Sequence, residues 1–547
     1  MNKIETTIKC CYNVVTTFEV DDMSYIAKVP VKNHIYLYEC KGYREGEKVR
    51  SKRILIGKID NETGEAIYKG EYIERMRIAG TPVINDDDVK RFSIKDIKAS
   101  TVKEIGLIEL FDKIANETGL SEALKVSNTK YCNEIYTMAK HLAASGEPFM
   151  HCQEWIEKVE IFEKIENLTS QNISKILANL SSSNIEGFYQ AWAKLRSEKE
   201  YLAIDITSMS SYSELIEDVE WGYNRDGEAL PQVNLCMLMG ETSRLPIYQT
   251  TYQGSLTDVS TLKTTLSKFD QITDGCDVLA VMDKGFYSKK NIDDLLADGK
   301  KFVIAVPFSN KFAKKQVEDC RDLIDDFSNN IVIGNDTLRA ITKKRKWGKR
   351  YIYAHVFYNP IKAVISREKL YKKVTEMLNY ATQQPDKVKN HRIYKQFFDF
   401  QYNDDGMCIP KVKSDFISNA QKYSGWLLII SNNTKDATEI LNIYRSKDVV
   451  EKGFLKLKHS LDLDRLRVHS DKNMQSKVFI CFVALILLSN IHNVMADKGL
   501  YKFYTMKQLM KVLSKRRSQK IGKESIKYPL TKEQKEIYSA FGFDMLL

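Results

Sequence analysis

Short apolar runs bounded by polar turns mark the middle of the chain: YLAIDI from Tyr201, NLCMLMG from Asn234, LPIYQTTY from Leu245, DVLAVMD from Asp277 and KFVIAVP from Lys301. Each is rich in β-branched, aromatic or long apolar residues and reads as a strand. Helical periodicity falls between them at 255–269 and 288–298, so the predicted order is three strands, helix, strand, helix, strand. Upstream, from about 101 to 199, the apolar spacing becomes three or four, as in Ile105, Ile108, Phe111 and Ile114, which predicts helices. Residues 168–192 read as helix, Ser-rich turn, helix, and an ordinary helical hairpin is favoured there over a DNA-reading helix-turn-helix, for want of a glycine turn or a basic face. Residues 34–59 read as two extended runs around Arg44-Glu45-Gly46-Glu47.

Three successive strands can run as an antiparallel meander, so the order fits an RNase H-like mixed α/β sheet better than a Rossmann repeat. No G-x-G-x-x-G or G-K-[ST] loop follows any strand. From 307 to 424 strand-like pieces (NNIVIG, YIYAHVFY) and charged stretches interrupt the pattern, which resumes at GWLLIIS and a long helix. The predicted organisation is an N-terminal β-rich module (1–100), a helical region (101–199), the first part of the core (200–306), a β-rich insertion outside the sheet (307–424) with Trp347 on its exposed tip or edge, the second part of the core (425–495) and a basic helical tail (496–547).

Composition narrows the class only modestly. Apolar residues are 43% and charged residues 28% of 547, as in ordinary globular chains. The longest apolar run, Val478 to Leu488, is shorter than the roughly 20 residues of a membrane span, and the N-terminus shows no apolar leader, so a cytoplasmic protein without a membrane partner is expected. Ten scattered cysteines, with one adjacent pair at Cys10-Cys11, suit neither structural zinc nor a disulfide framework. A metal, if used, would be held by carboxylates, which favours Mg or Mn over Zn or Cu.

Carboxylates do stand where chemistry is built. Asp205 and Asp283 each follow a buried run, at strand ends where α/β loops form sites, although a strand-end Asp is also a common turn residue. A helix is predicted over 437–461, opened by the capping box Asp436-x-x-Glu439. On it Ile443, Val450, Phe454, Leu457 and Leu461 form the buried stripe, and Tyr444, Lys447, Glu451 and Lys458 fall within a second stripe beside it. Taken alone, that second stripe also fits a salt-bridged surface, because Lys447 and Glu451 are an i,i+4 pair.

With these residues the chain resembles the DDE transposases of bacterial insertion sequences, in the group whose third acid lies in the helical signature Y-(2)-R-(3)-E-(6)-K. Tyr444, Lys447, Glu451 and Lys458 stand at that spacing, with Lys447 in place of the arginine and Arg445 about 160° away on the helix. Asp205 in AIDITS, Asp283 in DKGFY, the insertion before the third acid and the RVHS and VFICFVALIL segments extend the likeness over most of 200–495. The resemblance implies metal-dependent cleavage at transposon ends and strand transfer into target DNA, in cut-and-paste fashion. It implies Asp205, Asp283 and Glu451 as catalytic residues converging on two Mg2+ or Mn2+ ions about 4 Å apart, and Tyr444, Lys447 and Lys458 as phosphate contacts. Double-stranded DNA is then the partner, a homodimer the synaptic form and a bacterial nucleoid the address. A non-catalytic or domesticated DNA-binding protein and an RNase H-like nuclease without strand transfer are the alternatives.

Basic segments add to a DNA reading. In KKRKWGKR, 343–350, six of eight residues are basic around Trp347, a combination suited to phosphate contact by Lys346 and Arg350 and base stacking by the indole. A lysine-protected sheet edge explains it equally well. The tail from Lys507 to Lys527, with Lys515, Arg516, Arg517, Lys520 and Lys523, could clamp a duplex or simply be solvated, and the solvated reading is favoured.

Overall fold

The computed structural model describes residues 24–45, 48–61, 64–78, 94–127, 129–196, 201–273, 275, 278–522 and 524–543. Cys10-Cys11, the rest of the N-terminal stretch 1–23, turn positions 46 and 47 and Lys523 lie outside them. The chain forms two compact units, Met1–Ser100 with Ile521–Glu524, and Thr101–Lys520 with Ser525–Leu547.

In the first unit β1 (Ser24–Val31), β2 (His34–Glu45), β3 (Lys48–Ile59) and β4 (Ala66–Tyr68) pair antiparallel in chain order, with α1 (Gly70–Ile78) and α2 (Ile94–Lys98) following. Leu37, Ile56 and Tyr72 form its small core.

The second unit opens with β5 (Thr101–Glu104) and helices α3 (Gly106–Thr118), α4 (Leu120–Val126), α5 (Cys132–Ser145), α6 (Cys152–Lys158), α7 (Ser170–Asn179) and α8 (Ser182–Lys194). Thr169 and Ser181 cap the last two, each side-chain oxygen accepting a backbone N–H of the first turn. The sheet then follows: β6 (Tyr201–Ser210), β7 (Gln232–Gly240), β8 (Pro246–Gln253), α9 (Asp258–Thr273), β9 (Leu279–Met282), α10 (Lys289–Ala297), β10 (Lys301–Ala305), α11 (Lys311–Glu318), β11 (Asn330–Ile333), β12 (Asp336–Trp347), β13 (Arg350–Tyr358), α12 (Pro360–Gln383), α13 (Pro385–Val388), α14 (Arg392–Phe397), β14 (Phe398–Tyr402), β15 (Cys408–Val412), α15 (Ser414–Gln421) and β16 (Trp426–Ser431). Nine of these strands form one mixed sheet in the order β11-β12-β13-β16-β10-β9-β6-β7-β8. β6, β7 and β8 pair antiparallel, whereas β6, β9 and β10 run parallel.

That order corrects the expected insertion. β11, β12 and β13 extend the central sheet instead of standing outside it, because β13 is apolar on both faces: Ile352, Ala354 and Val356 enter the main core and Phe357 the core on the opposite side. The remainder of the segment is largely helical, and only the β14–β15 pair with α12 to α15 forms a separate cluster, around Val374, Phe397 and Phe398.

Beyond β16 the single predicted helix is two, α16 (Ala437–Ser446) and α17 (Asp448–Ser460), with Lys447 between them. The halves bury different stripes. Ile440, Leu441 and Ile443 of α16 pack with Val281, Val303 and Ile429, while Val450, Phe454 and Leu457 of α17 enter the main core. A twisted sheet presents those two patches at different angles, and a break satisfies both. Helix α18 (Asp471–Asp497) is long and apolar enough to cross a membrane by length and composition, but 83% of its most apolar window is buried inside the fold, against α5, α7 and β8. The tail is not wholly helical: between α19 (Met506–Ser514) and α20 (Lys532–Ala540) lie β17 (Arg517–Ile521) and β18 (Glu524–Lys527), and β17 pairs with β5. Nor is Arg516 solvated, being 4% exposed and paired with Glu109 at 2.9 Å.

Candidate active site

Strand register brings the two aspartates together. β6 and β9 are parallel neighbours with Ala203 opposite Val281 and Ile204 opposite Met282, so Asp205 and Asp283 follow the last pair on adjoining strands about 4.8 Å apart. Both lie two positions from an apolar residue on the face covered by the helices after β16. Asp205 pairs with Met237 across β7, and α17 rides close over that strand at Gly453, where an added Cβ would lie 3.4 Å from Met239 Sδ and 3.8 Å from Met237 Sδ.

The α16–α17 junction supplies the other groups. Tyr444 donates its phenol proton to Asp283 Oδ1 at 2.8 Å, and Lys447 Nζ donates to Glu451 Oε1 at 2.7 Å. Burial raises the Tyr444 phenol far above its ordinary value, and the charges of Asp283, Glu451 and Asp205 add to the effect. Burial lowers the Lys447 ammonium, but its hydrogen bond to Glu451 and the charges of Asp283, Glu451 and Asp205 outweigh this and leave it raised. Both side chains therefore feel all three acids. Burial also pushes the Asp205 carboxyl up to about 6, with Asp283 adding to the rise, against the Ile206 N–H and the charges of Lys447 and Arg225.

Several expected site residues are engaged differently from their sequence reading. The Tyr444 hydroxyl is committed to Asp283, and Lys458 donates to both oxygens of Asp226 at 2.7 and 2.6 Å. Arg445 pairs with Asp336 on β12 at 2.6 Å, well away from the acids, as its helical angle predicts. Trp347 is at the β12–β13 hairpin tip but is half-buried, donating to Asp293 Oδ1 at 2.7 Å and meeting Phe312 edge-on at 5.6 Å. Packing thus removes it as an open stacking surface, whereas Lys346 and Arg350 are exposed. The tip also lies well along the strands from the row of the acids. Asp283 is one step past the Met282–Ile304 pair, a row that continues through Ala305, Ile429 and His355 to Thr342. Trp347 is roughly 17 Å farther along β12, at about 3.4 Å per residue.

Arg225, Asp226 and Asp258 are site neighbours that sequence reasoning missed. They sit in the β6–β7 loop and at the start of α9, where no periodicity singles them out. Arg225 Nη2 donates to both oxygens of Asp258 at 2.6 and 2.8 Å. Asp258 in turn explains the glycine of DKGFY: a Cβ on Gly285 would come 2.8 Å from Asp258 Oδ2.

The donor set is all carboxylate, which suits a hard divalent cation. Glu451 is nonetheless turned to Lys447. Among the described residues no three His, Cys, Asp or Glu side chains are gathered closely enough to hold an ion.

Residues 196–487, which include all three acids, match the family described as Transposase DDE domain, and the chain belongs to it. Among solved structures, the piggyBac transposase in a synaptic complex with hairpin DNA is similar over 74% of this chain and 77% of that one, at 11% identity and a TM-score of 0.36. No curated protein is detectably similar in sequence.

Proposed function

We propose that this transposase acts by the three-carboxylate mechanism, with Asp205, Asp283 and Glu451 cutting transposon ends and joining them to target DNA. One observation carries the proposal. Asp205 inside β6 and Asp283 just past β9 lie on adjoining parallel strands, one step beyond the Ile204–Met282 pair, and at the α16–α17 junction the Tyr444 hydroxyl donates to Asp283 at 2.8 Å while Lys447 holds Glu451 at 2.7 Å. Support for an RNase H-like core comes from the strand order β8-β7-β6-β9-β10, three antiparallel strands followed by two parallel ones. Membership of the bacterial insertion-sequence group rests on the spacing of Tyr444, Lys447, Glu451 and Lys458.

Asp205, Asp283 and Glu451 would hold two Mg2+ or Mn2+ ions once Glu451 leaves Lys447. Such ions supply activation of the attacking oxygen and stabilisation of charge on the leaving one. Release of Glu451 frees the Lys447 ammonium for a DNA phosphate, so one exchange of partners prepares both groups. Tyr444 orients Asp283 through its hydrogen bond. Lys458 braces the β6–β7 loop through Asp226 and turns to phosphate only if that pair opens. Lys346 and Arg350 meet duplex DNA away from the scissile bond. A homodimer is the synaptic form, and the protein works in the bacterial cytoplasm on the nucleoid.

The test is cleavage and strand transfer on a labelled transposon end in Mg2+ or Mn2+. Asp205→Asn, Asp283→Asn and Glu451→Ala should each stop both steps while retaining most DNA binding. Cleavage without joining by the wild type would instead favour a nuclease, and unchanged cleavage by Glu451→Ala would remove its catalytic role.

A further inference from the structure

The first half of the β6–β7 loop carries charge of the opposite sign to the chain. Residues 211–223 hold Glu214, Glu217, Asp218 and Glu220 and no lysine, arginine or histidine, a net charge of −4 in a protein of +11. Among the described residues none of the four acids is in an ion pair. Burial, with the charges of Asp471 and Glu220 behind it, raises the Asp218 carboxyl. Between the acids Leu215, Trp221 and Tyr223 stand 73%, 68% and 83% exposed. Uncompensated carboxylates repel DNA phosphates, so these exposed side chains suit a partner surface that is apolar with a cationic rim.

The same chain builds such a surface elsewhere. A groove of about 590 Å3 opens between the ends of α5 and α17 and helices α3, α18 and α19. Buried Leu107, Leu488 and Met510 form its floor, exposed His459, Lys507 and Lys511 its rim, and no carboxylate lines it. Neither lysine has an ion-pair partner among the described residues. A groove of this size admits the rings of Trp221 and Tyr223, the aromatic anchors that carry most of the energy of an interface. The loop does not reach the groove of its own molecule. It is fixed by the Glu217 N–H to Asp471 Oδ1 at 3.1 Å, by the Gly254 N–H to the Asp218 carbonyl at 3.0 Å and by paired backbone bonds between Glu220 and Gln232. Asp471 opens α18, and Leu488 of the groove floor lies roughly 25 Å farther along that helix, at about 1.5 Å per residue.

We propose that two copies of this chain associate by seating the acidic, aromatic segment 211–223 of each in the cation-rimmed groove of the other. The contact is reciprocal, so a two-fold dimer makes it twice and closes. Trp221 and Tyr223 fill the groove, and Glu214 and Glu217 meet Lys507 and Lys511. The contact does not depend on the chemistry assigned to Asp205, Asp283 and Glu451.

Sedimentation equilibrium of the full chain without DNA tests the contact through a charge swap. The wild type should dimerise, and more weakly as salt is added. Glu214→Lys with Glu217→Lys sets like charges against the groove, as Lys507→Glu with Lys511→Glu does against the loop, and each double variant alone should associate about a hundredfold more weakly or worse. A mixture of the two should recover wild-type association, because the reversed loop then meets the reversed groove while the second contact stays as in the wild type. Trp221→Ser should weaken association by about tenfold or more with the charges unchanged. If a reversed variant does not fold, Glu214→Gln with Glu217→Gln, or Lys507→Gln with Lys511→Gln, serves in its place, with a loss of about fivefold or more. Wild-type association in a reversed variant, or in the glutamine variant that replaces it, would overturn the contact, and so would a mixture of the two folded reversed variants that stays monomeric. A wild type that is monomeric at every concentration would also overturn it, and loss of duplex binding by Lys507→Glu with Lys511→Glu would then assign the groove to DNA. Each of these failures leaves the catalytic reading intact, since that is tested by cleavage.

Discussion

Replacing Asp205 with asparagine should stabilise the protein at neutral pH. Burial, reinforced by Asp283, holds this carboxyl at about 6 in the folded chain, against an ordinary value of 3.8. A carboxyl so raised binds more protons folded than unfolded. Its favourable contribution is therefore complete below about pH 4 and is lost as pH rises through about 6. At about 1.4 kcal/mol per pH unit, the gap amounts to about 3 kcal/mol by pH 7. Asparagine keeps the side-chain oxygen that accepts the Ile206 N–H at 2.8 Å and carries no charge to desolvate. Urea unfolding at steps from pH 4 to pH 8, followed by tryptophan fluorescence, should show matching stabilities at pH 4 and a variant about 3 kcal/mol more stable at pH 8. Mg2+ should raise the wild-type midpoint at pH 8 and leave that of Asp205→Asn nearly unmoved, since an ion that binds only the folded state stabilises it. A difference that stays flat across the pH range, or a variant less stable at pH 8, would refute the charge-strain account.

Tyr444→Phe removes the donor to Asp283 Oδ1 and should slow cleavage about tenfold, the worth of a hydrogen bond to a charged group, with circular dichroism unchanged. Lys447→Arg should keep or raise cleavage through a second phosphate contact, whereas Lys447→Ala should weaken end binding in a salt-dependent way without reducing Mn2+ binding measured by calorimetry. Trp347→Phe loses the bond to Asp293 and should cost about 1 kcal/mol in urea unfolding with DNA affinity unchanged. By contrast, Lys346→Ala and Arg350→Ala should each weaken duplex binding and lower the slope of log affinity against log salt by about one.

Local pattern was enough to place the strands β6 to β10, the helices between them and the stripe carrying Glu451, because each run reports its own burial period. Residue chemistry drew attention to Asp205 and Asp283, but Asp205 lies inside β6 and not at its end, because the pairing with β7 carries the strand on to Ser210. Partners separated by long stretches of chain were beyond local pattern. That β13 is an interior strand depends on β16 arriving beside it about 70 residues later, and Trp347 is half-buried because Phe312 and Asp293 pack under the hairpin. The helix of the third acid breaks at Lys447 because its two halves must cover different parts of a twisted sheet, which periodicity along one segment does not register. Arg225 was hidden for the same reason. A loop arginine has no local signature, and only the approach of Ser208, Asp258 and Gly285 from three other elements makes it part of the site.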